Sequence, residues 1–440
     1  MAQRRLIIGI LIFLTGFGAG LVVWANKHSE AVQVQTRVAE NYKHLARPLV
    51  DNGFTSFFDS SSGTSNPDLL GHPPGYSILL AIIYRVAGES DVAVQLFQLF
   101  CHSLCAVLIF LIAIELLPLS VGAIAGFMAA LAPQFSWNSI LLLPDTLAAL
   151  PLLLAVYLIT RTLKKPSWAM MLWAGVCIGL SCWLRANGLL LVPFLAVVVL
   201  LGFSREVRVR IALALIAGSI LAIAPLTIRN AVVFGHFIPV SLGAGQTLLE
   251  GIADYDQEGR FGLPNTDMGL IEQEAAAHNR PDYATTLFGP DAIKRDRERL
   301  ARGLAVIRAN PFWFLSVMVR RAANMWRLER VPLVSIQNMQ PGLAHYFYFG
   351  LRVLQRLFIT AVILPLVLIG LIILIRRRQF QVLGILLAVP AYYFCVQSVL
   401  HTEYRYVLTL HYFLFVIAAV AIQAIICSAR RLRMGNIERG

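Results

Sequence analysis

Long apolar runs alternate with polar segments along most of this chain. Each run is near the roughly 20 residues that an α-helix needs to cross about 30 Å of hydrocarbon. Ten runs fit this requirement, at residues 6–25, 91–116, 119–136, 145–160, 169–184, 187–203, 211–228, 353–375, 381–399 and 406–427. The first run is long for a signal peptide, so we expect an uncleaved helix there. The pattern therefore predicts an all-α polytopic membrane protein.

Two polar segments are much longer than the others: residues 26–90, the first polar segment, and residues 229–350, the second polar segment. Within the first, the run 73–87 is apolar but too short to span, which predicts a juxtamembrane helix at the interface. Within the second, residues 291–330 predict a charged and then amphipathic helical stretch. We expect residues 1–440 to form one integral membrane domain that carries both segments.

Clusters of Lys and Arg set the expected orientation. Five clusters flank the apolar runs, at Arg4–Arg5, Arg161–Lys165, Arg205–Arg210, Arg376–Arg378 and Arg430–Arg433. With ten spans all five lie on one side of the membrane, which the positive-inside rule makes cytoplasmic. We therefore expect both termini in the cytoplasm and both long polar segments outside a plasma (inner) membrane.

Composition excludes several classes of protein. Apolar residues make up 58% of the 440 and charged residues only 14%, against about 45–50% and 25% in soluble proteins. The net charge of +13 would suggest a nucleic-acid partner in a soluble protein; here much of it lies in short loops, so no nucleic-acid partner is expected. The sequence indicates no metal-ligand cluster and no cofactor, and the six cysteines are expected to be small buried hydrophobes.

The string Gly71-His72-Pro73-Pro74-Gly75-Tyr76 stands out within the first polar segment. Its two prolines remove two backbone donors, so it cannot begin an ordinary strand. One interpretation is a helix start, because proline is pre-set for the first helical turn. The other is a juxtamembrane ligand site that uses the histidine. The string alone leaves both interpretations open.

Ionisable residues recur at the ends of spans that should face outward. They are Glu40, Asp51, Asp59, Asp68, His72, Asp145, Arg185, Arg229, His401, Glu403 and Arg405. Charges close to hydrocarbon are costly and suggest function. The alternatives are interfacial snorkelling, a helix cap for Asp145, and helix-dipole complementation for Arg185 and Arg229.

Arginines and carboxylates on one face suit a particular chemistry. The guanidinium fork of arginine matches phosphate oxygens, and a carboxylate can take a proton from a hydroxyl. The combination predicts a lipid-phosphate substrate whose tail stays in the bilayer.

Several strings together resemble a known class of enzymes. They are Glu40-Asn41-Tyr42, His72-Pro73-Pro74-Gly75-Tyr76, Leu143-Pro144-Asp145-Thr146-Leu147, Leu184-Arg185-Ala186-Asn187-Gly188-Leu189, Ile228-Arg229-Asn230 and Glu403-Tyr404-Arg405-Tyr406. In order and spacing they resemble the GT-C class of membrane glycosyltransferases, in the bacterial branch related to protein O-mannosyltransferases and lipid A aminoarabinose transferases. The resemblance implies a GT-C-like bundle of about ten helices with outward juxtamembrane helices, a polyprenyl-phosphate sugar donor and an envelope acceptor.

The resemblance also implies roles for individual residues. The family's general base is an acid of the first outward loop just before a tyrosine, for which Glu40 is the best match, and Asp145 matches its second acid. The residues implied for the donor and its lipid phosphate are His72, Tyr76, Arg185, Arg229, Glu403 and Arg405. The implied reaction is attack by an acceptor hydroxyl on the anomeric carbon, with inversion.

Other functions share parts of this pattern. A polysaccharide polymerase or ligase would use the same kind of donor, and an inactive relative would keep the fold. A transporter or flippase for a lipid-linked sugar typically shows sequence repeats and helices broken at mid-membrane. Neither feature is clear in this sequence, which favours the transferase.

Overall fold

The computed structural model describes residues 2–59, 70–289, 291–336 and 341–437, which form helices and no strand. Asp68 and parts of both polar segments lie outside the described residues. The helices are α1 (Ala2–Val32), α2 (Thr36–Asn52), α3 (Gly75–Ala87), α4 (Asp91–Leu116), α5 (Leu119–Leu131), α6 (Pro133–Ile140), α7 (Asp145–Lys164), α8 (Trp168–Leu184), α9 (Leu191–Gly202), α10 (Arg208–Phe234), α11 (Ala244–Ala253), α12 (Asp267–His278), α13 (Ala292–Ala309), α14 (Pro311–Met325), α15 (Leu343–Gln355), α16 (Thr360–Arg376), α17 (Phe380–Cys395) and α18 (Leu408–Ile437).

The multi-pass, all-α prediction is confirmed. Among the described residues, six helices are long and apolar enough to cross a membrane, namely α1, α4, α7, α10, α17 with the turn after it, and α18 with the turn before it. Two bent pairs, α5 with α6 and α15 with α16, raise the number to eight. The predicted spans 169–184 and 187–203 correspond to the shorter apolar helices α8 and α9. The count of ten stays a prediction.

Two runs predicted as continuous spans are broken. The run 119–136 bends by 47° between α5 and α6. Pro133 is the first residue of α6 and Ala132 before it has an extended backbone, with φ −63° and ψ 117°. A residue that precedes proline is disfavoured in the α conformation, so the helix ends there. The predicted run 353–375 is interrupted near its start, where the end of α15 meets α16 at an angle of 56°.

Glycines bring α8 and α10 unusually close together. A Cβ atom at Gly175 would meet the carbonyl of Leu215, and one at Gly218 would meet the carbonyl of Leu172. Small residues at such a crossing let two backbones approach within van der Waals contact. The crossing fixes α8 relative to α10, and Arg185 follows directly at the end of α8.

The ends of the helices fall into two groups. Lys164 near the end of α7 pairs with Glu115 near the end of α4 at 2.6 Å. Asp145 at the start of α7 pairs instead with Arg185 at the end of α8. The bundle therefore has one end that carries the Lys164–Glu115 pair and an opposite end, the site end, that carries the Asp145–Arg185 pair.

The two polar segments contribute helices to the site end. The helix predicted at 73–87 is α3, and the stretch predicted at 291–330 is helical in α13 and α14, which meet at Asn310. Glu274 of α12 binds Arg295 at 2.8 Å and also Arg299 of α13. The Asp296 carboxylate accepts hydrogen bonds from the backbone N–H groups of Gly243 and Gly245. These contacts join α11, α12 and α13 into one layer.

Candidate functional site

A cavity of about 390 Å³ lies at the site end. Its walls come from α2, the His72 string, the turn after α8, helices α11 and α12, and the turn before α18. The charged and titratable residues that line it are Arg37, His72, Arg185, Glu250, Asp267, His401, Glu403, Arg405 and Tyr406. Of the eight residues predicted from the sequence, it brings together His72, Arg185, Glu403 and Arg405; Glu40, Tyr76, Asp145 and Arg229 lie elsewhere.

The His72 string is both a helix start and a wall of this cavity. Pro74 immediately precedes α3 with φ −78° and ψ −10°, as the helix-start interpretation predicts. A Cβ atom at Gly75 would collide with the carbonyl of Trp183, and one at Gly71 would collide with the ring of Phe288. The two glycines let the string pack tightly on both sides, and His72 between them faces the cavity.

The surroundings of His72 favour its neutral form. Its ring lies 4.9 Å from the ring of Tyr42, centroid to centroid. Burial lowers the pKa of His72 to about 4, and the positive charges of Arg185 and Arg405 act in the same direction. At neutral pH this side chain therefore supplies a hydrogen-bonding group, whereas the positive charge in the cavity comes from arginines.

Arg185 is anchored by Asp145. Its Nη2 lies 2.6 Å from Oδ1 and 2.8 Å from Oδ2 of the carboxylate. The side chain of Asp145 is 2% exposed, and it makes no hydrogen bond that caps α7. The helix-cap interpretation is therefore wrong for Asp145. The carboxylate instead lines a void of about 10 Å³ beside the cavity, which Arg185, Arg405 and Tyr406 also line.

Arg405 is held by Glu403. The Nε of Arg405 donates to Oε2 of Glu403 at 2.7 Å, and Nη2 donates to Oε1 at 3.0 Å. The third nitrogen, Nη1, is buried and has no hydrogen-bond partner among the described residues. Tyr406 lies between the two arginines, with its ring centroid 4.4 Å from Cζ of Arg185 and 5.1 Å from Cζ of Arg405.

His401 connects the Glu403–Arg405 pair with Asp254, the residue that follows α11. Its Nδ1 lies 2.6 Å from Oδ2 of Asp254, and its Nε2 lies 3.8 Å from Oε1 of Glu403. Burial opposes the charged form, but the hydrogen bond to Asp254 and the nearby carboxylate of Glu403 prevail and raise the pKa of His401. Although burial raises the pKa of Glu403, the nearby His401 and the bonds and charge of Arg405 lower it to about 2. Both groups are charged at neutral pH.

The side chain of Tyr76 lies in the protein core and does not line the cavity. It is fully buried, and its hydroxyl donates to Oε1 of Gln98 at 2.8 Å. The amide of Gln98 donates in turn to the carbonyls of Ser139 and Leu141. Tyr76 thus connects the His72 string with the residues that lead into α7 and Asp145.

Glu40 and Arg229 also lie away from the cavity. Glu40 is 46% exposed and pairs with Lys43 and Arg47 at 3.4 Å each. Arg229 donates from Nε to the carbonyl of Phe57 at 3.0 Å and packs against the rings of Phe57 and Phe234. Their predicted roles in catalysis and phosphate binding stay predictions.

The cavity contains three charged residues that the sequence did not point to, namely Arg37, Glu250 and Asp267. Arg37 lies one helical turn before Asn41 of the Glu40-Asn41-Tyr42 string, and that spacing is the signal that could have found it. Glu250 and Asp267 belong to the second polar segment, where no span or motif marks a position. Among the described residues, no group of three or more His, Cys, Asp or Glu side chains is arranged to hold a metal ion.

Comparison with known proteins identifies the fold. A family model described as dolichyl-phosphate-mannose-protein mannosyltransferase matches residues 71–228, a little over a third of the chain. The archaeal oligosaccharyltransferase AglB from Archaeoglobus fulgidus, in complex with an inhibitory peptide and a dolichol-phosphate, matches with a TM-score of 0.54 and 16% identity. The match covers 98% of this chain and 51% of that one. The apo form from the same organism gives a TM-score of 0.53 at 16% identity, over 99% and 52% of the two chains.

The chain therefore spans about half the length of these structures. ArnT from Cupriavidus metallidurans in the apo state matches over 87% of this chain and 72% of its own, at 14% identity, but its TM-score of 0.36 is too low to support an argument. No curated protein sequence matches. The resemblance to GT-C class membrane glycosyltransferases is thus confirmed: the chain has their fold, and the matched stretch includes His72, Asp145 and Arg185.

Proposed function

We propose that this chain transfers a sugar from a polyprenyl-phosphate donor to a hydroxyl of an envelope acceptor, at the outer face of the plasma membrane. The observation that carries the proposal is the pair of arginines at the cavity. Arg405 and Arg185 both line it, and Nη1 of Arg405 has no partner within the described part of the chain. An arginine that lines a cavity and keeps an N–H group without a protein partner suits an anionic ligand.

The arrangement around the arginines favours a phosphate. Glu403 and Asp145 hold the two guanidinium groups in place, and Tyr406 separates them. Donors fixed before the ligand arrives need little reorganisation when charge develops on a leaving group. The guanidinium fork also matches two phosphate oxygens at once. The site therefore fits the phosphate that joins the sugar to its carrier lipid.

The reaction follows from this placement. The acceptor oxygen forms a bond to the anomeric carbon while the bond from that carbon to the phosphate oxygen breaks. The polyprenyl phosphate leaves with the electron pair, and Arg405 and Arg185 stabilise its charge. Asp145 acts as a positioning residue for Arg185, and a carboxylate at the cavity takes the hydroxyl proton.

Two further observations support the substrate class and the face. A neighbouring cavity of about 340 Å³ shares Glu403 with the first and includes the apolar side chains of Met325, Leu328 and Val407, which suit a hydrocarbon chain. The AglB structure contains a dolichol-phosphate, which is a carrier of the proposed kind. The Lys164–Glu115 pair lies at the opposite end of α7 from Asp145, which fits a site on the outward face.

A transfer assay tests the proposal. The purified protein in liposomes is given undecaprenyl-phosphate-linked mannose, glucose, galactose or aminoarabinose, radiolabelled in the sugar, with an envelope fraction from a strain that lacks the gene. We expect label from one donor to enter the envelope fraction while undecaprenyl phosphate is released. A flippase would move the donor across the bilayer without breaking it. Intact donor in every reaction would contradict the proposal.

A further inference from the structure

We infer that Glu250, paired with Asp267, is the general base that takes the proton from the acceptor hydroxyl. The inference rests on the proposed function, because it assigns a step of that reaction. Glu250 lies on α11 and Asp267 is the first residue of α12, and both carboxyl groups line the main cavity together with Arg185 and Arg405. Neither α11 nor α12 belongs to the stretch that matches the mannosyltransferase family model.

The two carboxyl groups are held together by one amide. The Nε2 of Gln246 donates to Oε1 of Glu250 at 3.0 Å and to Oδ1 of Asp267 at 2.7 Å. Two carboxylates that accept from the same amide lie near each other, and each disfavours the negative charge of the other.

The cavity offers an independent reason to expect a reacting ligand beside this pair. Arg405 is 9% exposed, and its Nη1 has no partner among the described residues although the side chain lines the cavity. An anion at Arg405 and an acceptor hydroxyl at Glu250 would occupy one cavity of about 390 Å³. This volume lies at the lower end of those known for ligand pockets.

The pair is suited to a base that works near neutral pH. Burial raises the pKa of Glu250 well above the ordinary carboxyl range, and the neighbouring Asp267 raises it further. Gln246 and the positive charge of His401 oppose this shift. The other charged or titratable groups that face the same cavity are Arg37, His72, Arg185, Glu403, Arg405 and Tyr406. A base is most effective when its pKa lies near the working pH.

The proton balance of the step is simple. Deprotonated Glu250 accepts the proton of the acceptor hydroxyl as its oxygen bonds to the anomeric carbon. The electron pair of the broken bond leaves with the polyprenyl phosphate. Glu250 then releases the proton to water through the cavity.

The test compares pH profiles of sugar transfer, using the labelled donor that the wild type accepts. We expect wild-type kcat to rise with pH as Glu250 loses its proton. Glu250→Gln should lower kcat by about 10²–10⁴-fold, the usual range for general base catalysis, and abolish the rise. Asp267→Asn should move the rise to lower pH, because removal of a like charge makes Glu250 easier to deprotonate.

The control is Glu272→Gln, an exposed acid on the same helix α12 that does not line the cavity; its profile should match the wild type. Each variant is also tested for binding of undecaprenyl phosphate, which Glu250→Gln should retain within about threefold, since the general base makes no contact with the phosphate. Full transfer by Glu250→Gln with an unchanged pH profile would overturn the inference and leave the proposed function standing. A wild type that transfers no sugar would overturn both.

Discussion

Glu40 and Asp145 are the two acids that the sequence offers for catalysis, and the structure places them in opposite environments. Asp145 has a side chain that is 2% exposed and binds Arg185 beside the cavity. Glu40 is 46% exposed and forms longer contacts with Lys43 and Arg47. A buried ion pair loses much when one partner is removed, whereas an exposed pair contributes little. A motif therefore locates an acid along the chain, but the burial of the acid determines how strongly it holds its partner residue.

Glu40 lies away from the cavity because it is on a different face of α2 from the residues that line the cavity. Successive residues of an α-helix are rotated by about 100°, so the neighbours Glu40 and Asn41 point in different directions. Arg37 and Asn41 share the face of α2 that lines the cavity. Glu40, Lys43 and Arg47 share the next face, where they pair with one another. A motif match alone does not show which face of the helix points to the cavity.

The largest loss of stability is expected from Asp145→Asn. Loss of the carboxylate leaves the largely buried Arg185 without its ionic partner, which should lower stability by about 3–5 kcal/mol. The thermal unfolding midpoint in detergent measures the loss. Adding Arg185→Gln to Asp145→Asn should recover much of the stability but no sugar transfer. An Asp145→Asn protein as stable as the wild type would show that the Asp145–Arg185 ion pair does not stabilise the fold.

A smaller effect is expected from Tyr76→Phe, which tests whether the buried region around Asp145 depends on the His72 string. The change leaves Oε1 of Gln98 without its donor at 2.8 Å, and an unsatisfied buried group costs about 1–3 kcal/mol. Tyr346→Phe, at a residue that is 69% exposed, is the matched control and should have no effect. Equal midpoints for the two variants would contradict this connection.

The smallest effect is expected from Glu40→Gln, on the exposed side of the comparison. Exposed ion pairs are worth about 0–1 kcal/mol, so the unfolding midpoint should change little. Sugar transfer should also stay within about twofold, because Glu40 does not line the cavity and Glu250 is the proposed base. A loss of kcat of about 10² or more with an unchanged midpoint would restore Glu40 as the base, as the resemblance implies.

Much of the membrane bundle could be predicted from the sequence. The run 91–116 coincides with α4. In a membrane a long apolar run must satisfy its own backbone hydrogen bonds, and an α-helix does so. The order of the motifs was enough to identify the GT-C fold and four residues that line the cavity. The breaks at Ala132 and between α15 and α16 were missed, because the overall hydrophobicity of these runs concealed them.

The remainder of the site could not be predicted, for a physical reason. Glu250 and Asp267 are 17 positions apart in a polar segment without a membrane pattern. The contacts that bring their helices together include those of Glu274, which joins α12 to α13, and of Asp296, which joins α13 to the start of α11. Such contacts depend on tertiary packing, which hydropathy and motif spacing do not encode.

The most direct test of the central claim is the binding of undecaprenyl phosphate to the purified protein, measured by isothermal titration calorimetry in detergent. Loss of a charge-assisted hydrogen bond is worth about 1.5–3 kcal/mol, so Arg405→Ala should weaken binding by about 10–100-fold. Arg405→Lys should recover only part of this, because it lacks the planar fork. The control Arg297→Ala changes an exposed arginine of α13 and should bind like the wild type. Equal affinities for the wild type and a folded Arg405→Ala protein would contradict the account.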